Sequence, residues 1–232
     1  MKIRHGMILA AGLGKRMQPL TNKKPKPLLE IGGITLLERA INLLINHGVK
    51  EISVNIHHLG DQIEKYISDL KSEVKIKISN EKDSLLDTGG GVKKGTKDFK
   101  ENPFFVINPD TLWSNKYSKE VQSLEKEYFT NKRPCLLLVK KKLSLDNSFK
   151  GDFNLKNNLI SKDEHNQFIF TGLQIIKNDH LLSFNKDIFS MNEVWAKLIS
   201  EKNLGGLESN QKFYHLNTFE MFEKISSLSS ID

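Results

Sequence analysis

Leu9-Ala-Ala-Gly-Leu-Gly-Lys-Arg-Met17 brings together what a polyphosphate needs, bare backbone N–H groups and positive charge. Gly12 and Gly14 uncover the backbone, Lys15 and Arg16 add cations, and Lys23, Lys24 and Lys26 follow shortly after. An apolar run from Gly6 to Ala11 leads into the loop, which places it at the carboxyl end of a strand, where open α/β sheets bind ligands. Two familiar glycine loops fail on spacing. A phosphate loop of the Walker kind needs glycine where Leu9 stands and Ser or Thr where Arg16 stands, and a dinucleotide fingerprint needs glycine where Met17 stands.

A carboxylate follows a second apolar strand, since Asp110 lies just beyond Phe104 to Ile107, at the same end of the expected sheet. His57 and His58 sit in the loop after another strand and read as wall or surface residues and not as a metal pair. The chain carries 35 Lys and Arg against 28 Asp and Glu, a formal charge of +7, which favours an anionic partner. The lysines are spread along the chain without a basic stripe interleaved with aromatics, so nucleic acid is not expected and a phosphate-bearing small molecule is. Cys135, the single cysteine, falls within a strand-like run, which excludes an internal disulfide and a cysteine metal cluster and fits a reducing compartment. With no export signal visible and no run of eighteen apolar residues, the expectation is a cytoplasmic protein without a membrane partner.

The elements that must hold these groups alternate. Strands are expected at Gly6 to Ala11, Glu51 to Asn55, Val74 to Ser79, Phe104 to Asn108 and Cys135 to Lys140. Helices fit between them at Thr35 to Asn46, Asp61 to Leu70, Gly90 to Lys97 and Tyr117 to Phe129. Thr35 and Glu38 are spaced as a capping box, and Gly48 is placed to end the first helix. The order strand, helix, strand predicts a doubly wound, mostly parallel Rossmann-like sheet flanked by helices. After about Lys141 come strand-like pieces at Gly151 to Leu155, Leu159 to Ser161 and Phe168 to Ile176, then helical Asn192 to Glu201 and Thr218 to Ser227. This predicts a small β subdomain on the substrate side within one domain over 1–232, with 1–140 and 141–232 as its two halves.

The loop, followed by Pro25-Lys-Pro-Leu28 and Ile31-Gly-Gly33, resembles the sugar-1-phosphate nucleotidyltransferase family. Further matches run through most of the chain: Asn55-Ile-His-His-Leu-Gly-Asp-Gln-Ile63, Leu86-Asp-Thr-Gly-Gly-Gly91, Val106-Ile-Asn-Pro-Asp110, Gly151-Asp-Phe153 and Phe170-Thr-Gly172. Their order is that of the N-acetylmuramic-acid-1-phosphate uridylyltransferase branch. The resemblance implies attack by a sugar-1-phosphate oxygen on the α-phosphorus of a nucleoside triphosphate, with pyrophosphate leaving, so that charge neutralisation and positioning carry the catalysis.

The same resemblance implies roles. Leu9, Ala10, Ala11, Gly12 and Gly14 would hold the nucleotide, Lys15 and Arg16 would face the departing phosphates, and Lys26 would meet the α-phosphate or the incoming phosphate. Gly89 and Gly90 would let the backbone approach base and ribose while opening a helix. Asn108, Asp152, Thr171 and Gly172 would line the sugar. Asp110 would be a Mg²⁺ ligand. Two positions depart from the family pattern: Pro109 stands where glycine is usual, and in Tyr214-His-Leu-Asn-Thr218 the residue His215 stands where relatives carry a second metal-binding Asp. Histidine suits Mn²⁺ better than Mg²⁺. Three arrangements are open: His215 ligates, Asn217 substitutes, or Asp110 alone suffices. UTP with N-acetylmuramic acid 1-phosphate is the first expectation, a mannose- or heptose-1-phosphate guanylyltransferase the second and a cytidylyltransferase the third. A catalytically weakened nucleotide-sensing module is the alternative from another class. A monomer or small homo-oligomer is expected.

Overall fold

The computed structural model describes residues 1–228. The strands of the first half are β1 (His5–Leu9), the short hairpin pair β2 (Glu30–Ile31) and β3 (Ile34–Thr35), β4 (Glu51–Ile56), β5 (Lys75–Asn80), β6 (Phe104–Ile107) and β7 (Cys135–Lys140). Between them lie α1 (Leu36–His47), α2 (Gly60–Asp69), α3 (Asp87–Gly95) and α4 (Ser118–Asn131). The second half supplies β8 (Asn154–Lys156), β9 (Leu159–Ser161), β10 (Phe168–Ile176), α5 (Asp179–Leu182), α6 (Met191–Ser200), β11 (Gly205–Ser209) and α7 (Phe219–Ser226).

All strands except the β2–β3 pair join one sheet in the order β5-β4-β1-β6-β10-β7-β11-β9-β8. β1 pairs parallel to β4 and β6, and β4 parallel to β5, as the alternating pattern predicts. The later strands extend this same sheet. β10 runs antiparallel between β6 and β7, and β11 adds parallel to β7. The β8–β9 hairpin then finishes the edge.

Strand alternation divides the core into two layers. Ile8, Phe105, Ile107, Cys135 and Leu137 face α1 and α4, whereas Met7, Phe104, Val106, Leu136 and Leu138 face α3 and α6. α1 forms because Leu36, Leu37, Ala40, Leu43 and Leu44 recur on one face, and all are buried. Its first turn is capped by Thr35, whose Oγ1 accepts from Glu38 N at 3.0 Å, and Gly48 ends it at φ +103°. The reciprocal half of the capping box is replaced, because the Glu38 carboxylate receives the Tyr66 hydroxyl at 2.6 Å. A full box forms instead on α6, between Ser190 and Glu193. A third apolar cluster, with Met17, Leu29, Ile31, Leu36, Leu112, Leu216 and Ile225, pins the basic loop and α7 to the upper end of the sheet. Among the described residues no helix is long and apolar enough to cross a membrane.

Candidate active site

β1 ends at Leu9, and the next amide, Ala10 N, donates to Asn55 Oδ1 at 2.7 Å. Asn55, at the end of β4, passes its own Nδ2 to Glu81 Oε1 at 2.8 Å, and Glu81 Oε2 accepts from Leu86 N at 3.1 Å. A buried polar relay thereby ties the basic loop to the ends of β4 and β5 and to the segment that opens α3. The relay was not visible in the sequence, where Asn55 and Glu81 are two polar residues at strand ends. Gly91 faces it: a β-carbon there would lie 2.7 Å from Asn55 Nδ2 and 2.8 Å from Glu81 Oε1.

The two loop glycines have different duties. Gly14 takes the left-handed conformation at φ +62°, its carbonyl accepts from Met17 N and Thr21 Oγ1, and a β-carbon would press to 2.9 Å from Thr21 Cγ2. Gly12 is exposed, with no protein atom within 4 Å of where its β-carbon would be. The fold therefore does not need glycine at position 12.

This loop forms one wall of a cavity of about 580 Å³ at the carboxyl ends of β1, β4, β5 and β6. Leu9, Ala10, Ala11, Gly12, Gly14, Lys15, Arg16 and Lys26 all line it, as expected, together with Asn55, Glu81, Asp87, Thr88, Asn108, Asp110 and Asn217. Lys15 and Arg16 are exposed at its margin. Gly89 and Gly90, also expected to meet the nucleotide, do not line the cavity. Their amides both donate to Phe189 O, at 2.9 and 3.1 Å, and their missing side chains make room for the Asp187–Phe189 segment. Asp87 and Thr88, immediately before them, reach the cavity.

A second cavity of about 220 Å³ adjoins the first, and Asn108 and Asp110 line both. Its walls hold the four residues expected to meet the sugar, Asn108, Asp152, Thr171 and Gly172. Gly172, at φ +94°, lies where the register of β10 against β7 shifts between Phe170 and Gln174, and its carbonyl accepts from Asn108 N at 2.8 Å. Thr171 is present by its backbone, because its hydroxyl donates to Leu137 O at 2.9 Å inside the sheet. Asp152 Oδ2 accepts from Phe170 N at 2.9 Å. Sequence reasoning missed the aromatic wall of this cavity. Trp195 meets Phe153 and Phe170 edge to face, with ring centroids 5.8 and 4.9 Å apart, and Lys162 and Asn192 stand beside them. The helical spacing around Trp195 predicts only burial.

Asp110 joins the cavities chemically. Its Oδ2 is 2.7 Å from Lys26 Nζ and 3.2 Å from His215 Nε2. Burial alone would push this carboxyl up, but the charge of Lys26, and then that of His215, overcomes it and holds Asp110 well below the usual carboxylate range. His215 is fixed by stacking against Phe149 and Phe213, at 5.7 Å from each ring in a three-ring cluster, and by the antiparallel bridge between Thr111 and its own backbone. Asp110 Oδ1 and Asn217 Oδ1 are buried without a hydrogen-bond partner, while Asn217 Nδ2 donates to Asp146 Oδ2 at 2.9 Å. Those two oxygens are hard donors. His57 Nδ1 meets Glu81 O at 2.8 Å and His58 Nε2 meets Thr21 O at 3.0 Å.

The geometry thus offers a phosphate-rich ligand a basic loop, and a second ligand a smaller polar and aromatic cavity, with one lysine–carboxylate pair between them. Residues 5–141 match the family model described as nucleotidyl transferase. The N-acetylmuramate alpha-1-phosphate uridylyltransferase of Caulobacter vibrioides is 30% identical over 218 residues, covering 90% of each chain. The D-glycero-alpha-D-manno-heptose 1-phosphate guanylyltransferase of Campylobacter jejuni is 34% identical over 113 residues, covering 49% of this chain and 50% of the other. A UDP-glucose pyrophosphorylase solved with UDP-glucose superposes with a TM-score of 0.80 at 17% identity, covering 97% of both chains. The chain belongs to the nucleotidyl transferase family and is a sugar-1-phosphate nucleotidyltransferase.

Proposed function

We propose that the protein transfers uridine monophosphate from UTP to N-acetylmuramic acid 1-phosphate. The sugar-phosphate oxygen forms the new bond to the α-phosphorus, the bond to the β-phosphate bridging oxygen breaks, and pyrophosphate leaves with its charge. The observation that carries the choice of substrates is the similarity to the Caulobacter uridylyltransferase, which runs through both cavities, whereas the heptose guanylyltransferase matches about half of the chain. Lys26, held at the junction by Asp110, would neutralise the reacting phosphates, and Lys15 and Arg16 would face the departing pyrophosphate.

A divalent cation fits the donor set in part. Among the described residues no group of three or more His, Cys, Asp and Glu converges, which suits an ion held by few protein ligands and by phosphate oxygens. Asp110 Oδ1 and Asn217 Oδ1 would hold it, with Mg²⁺ preferred over Mn²⁺ for oxygen donors. When bound, it would neutralise developing charge on the phosphates. His215, whose Nε2 faces Asp110 Oδ2, would position that carboxylate in place of ligating.

One observation favours a guanylyltransferase as the second reading. Asp87 lines the nucleotide cavity with Oδ1 bonded to Thr88 N and its other oxygen exposed, and guanine offers adjacent N–H donors that a carboxylate accepts well. Pyrophosphate release from a panel of UTP, GTP and CTP against N-acetylmuramic acid, mannose and heptose 1-phosphates decides. UTP with the muramic acid sugar should lead by at least about tenfold in kcat/KM, which is a 1.4 kcal/mol difference. A larger value for any GTP pair moves the assignment to the second reading, and triphosphate binding without release from any pair would leave a sensing module.

A further inference from the structure

We propose that Lys162 selects a sugar 1-phosphate that carries a second anionic group, a carboxylate on a ring substituent. The proposal rests on the reading of the smaller cavity as the sugar site and deepens it.

The charged groups lining that cavity are Asp110, Asp152, His215 and Lys162. Asp110 is engaged with both His215 and Lys26. Asp152 is anchored by Phe170 N, which sets it to accept a ring hydroxyl or amide N–H. Lys162 alone has no carboxylate and no hydrogen-bond partner among the described residues. Its neighbour Asp163 does not neutralise it, because the Asp163 carboxylate accepts from Asn154 Nδ2 at 2.9 Å and from His165 N at 2.7 Å. The Lys162 ammonium lies 5.8 Å over the Phe153 ring, so the aromatic wall that flanks the sugar also holds this cation at the cavity.

A neutral hexose gives such a cation nothing to neutralise. Hydroxyls and amides are met by Asn108, Asp152 and Asn192, and the sugar phosphate is met by Lys26, which lines the other cavity. Lys162 is exposed at the rim of this cavity, apart from the phosphate site, where its ammonium is free to meet a second anion on the sugar. A carboxylate there would exchange water for a charge-assisted hydrogen bond in a partly enclosed site. The acidic ether substituent of N-acetylmuramic acid has this chemistry, and N-acetylglucosamine is the same ring without it.

The test measures KM for N-acetylmuramic acid 1-phosphate and for N-acetylglucosamine 1-phosphate at saturating UTP, in the wild type, Lys162→Gln and Lys162→Arg. The readout is the ratio of the two KM values. Lys162→Gln should shift that ratio about tenfold against the acidic sugar, and Lys162→Arg should restore most of it; tenfold corresponds to 1.4 kcal/mol. Wild type that prefers the acidic sugar, with a Gln variant whose two KM values move alike or not at all, overturns the role of Lys162 and spares the substrate reading. Wild type that prefers the neutral sugar overturns both. Calorimetric titration of each protein with each sugar phosphate gives the same ratio from Kd and keeps the comparison decisive for a variant that turns over slowly.

Discussion

Asp110 is held negative in the folded protein by Lys26 and His215, which face it, and that has consequences for activity and for acid stability. Asp110→Asn keeps the shape and removes the charge that holds Lys26 between the cavities, so kcat should fall by about 10² to 10³, read from pyrophosphate release. The pH dependence has a defined sign. With its folded pKa depressed, the carboxylate contributes stability that is complete above the unfolded value of about 4 and is lost as pH falls from there toward the native value. Urea midpoints of the wild type should therefore drop more steeply below about pH 4 than those of Asp110→Asn. Equal slopes would mean that Lys26 and His215 do not hold the carboxylate as described. The loop glycines give a second contrast at this scale. Gly14→Ala places a side chain at φ +62° against Thr21 and should destabilise by about 1–2 kcal/mol. Gly12→Ala meets no protein atom, so its melting temperature should stay within about 2 °C of wild type while KM for the triphosphate rises several-fold. A Gly12→Ala protein with unchanged KM would show that no ligand approaches there.

Where the sheet opens to the cavity, Asn55 and Glu81 add side-chain hydrogen bonds to the backbone ladders and tie the ends of β1, β4 and β5 to the start of α3. Asn55→Ala would orphan Ala10 N and one Glu81 oxygen, both shielded from water, and should cost about 2–4 kcal/mol in urea denaturation, with a raised triphosphate KM. Glu81→Gln keeps the shape and one acceptor, so it should cost less than Asn55→Ala; the reverse order would place the weight of the relay on charge. This relay marks the limit of what the sequence disclosed. The strands and helices were legible because apolar residues recur at spacings of two and of three to four, and the basic loop because its residue types form an extended string. Asn55 and Glu81 are 26 positions apart, and only the parallel pairing of β4 with β5 makes them neighbours. The contact made by Gly89 and Gly90 was hidden for a related reason. Their spacing opens a helix whatever they touch, and what they touch is the distant Asp187–Phe189 segment.

At the scale of the molecule, β10 is the element that makes one enzyme from two binding sites. The alternation of the first half pointed to a parallel sheet with the sugar-binding pieces set beside it, and no local pattern discloses that Phe168–Ile176 enters the centre of that sheet antiparallel to β6. That placement sets Thr171 and Gly172 against the end of β6, so Asn108 and Asp110 face the nucleotide cavity on one side and the sugar cavity on the other. Under the proposed function, two substrates that must react through adjacent phosphates would be brought to that pair of side chains while the rest of each stayed in its own compartment. Substitutions should separate accordingly. Trp195→Phe, in the aromatic wall, loses the bond from Nε1 to Gln174 and should raise KM for the sugar phosphate several-fold relative to KM for the triphosphate. Asn108→Ala removes a side chain with no partner among the described residues, so its stability should change by less than about 0.5 kcal/mol. Its kcat/KM should fall for both substrates together, because it lines both cavities. Initial-rate measurements with each substrate varied in turn read both effects. An Asn108→Ala protein impaired toward the sugar phosphate alone would show that the two compartments do not meet at Asn108, and would leave Asp110 as their single point of contact.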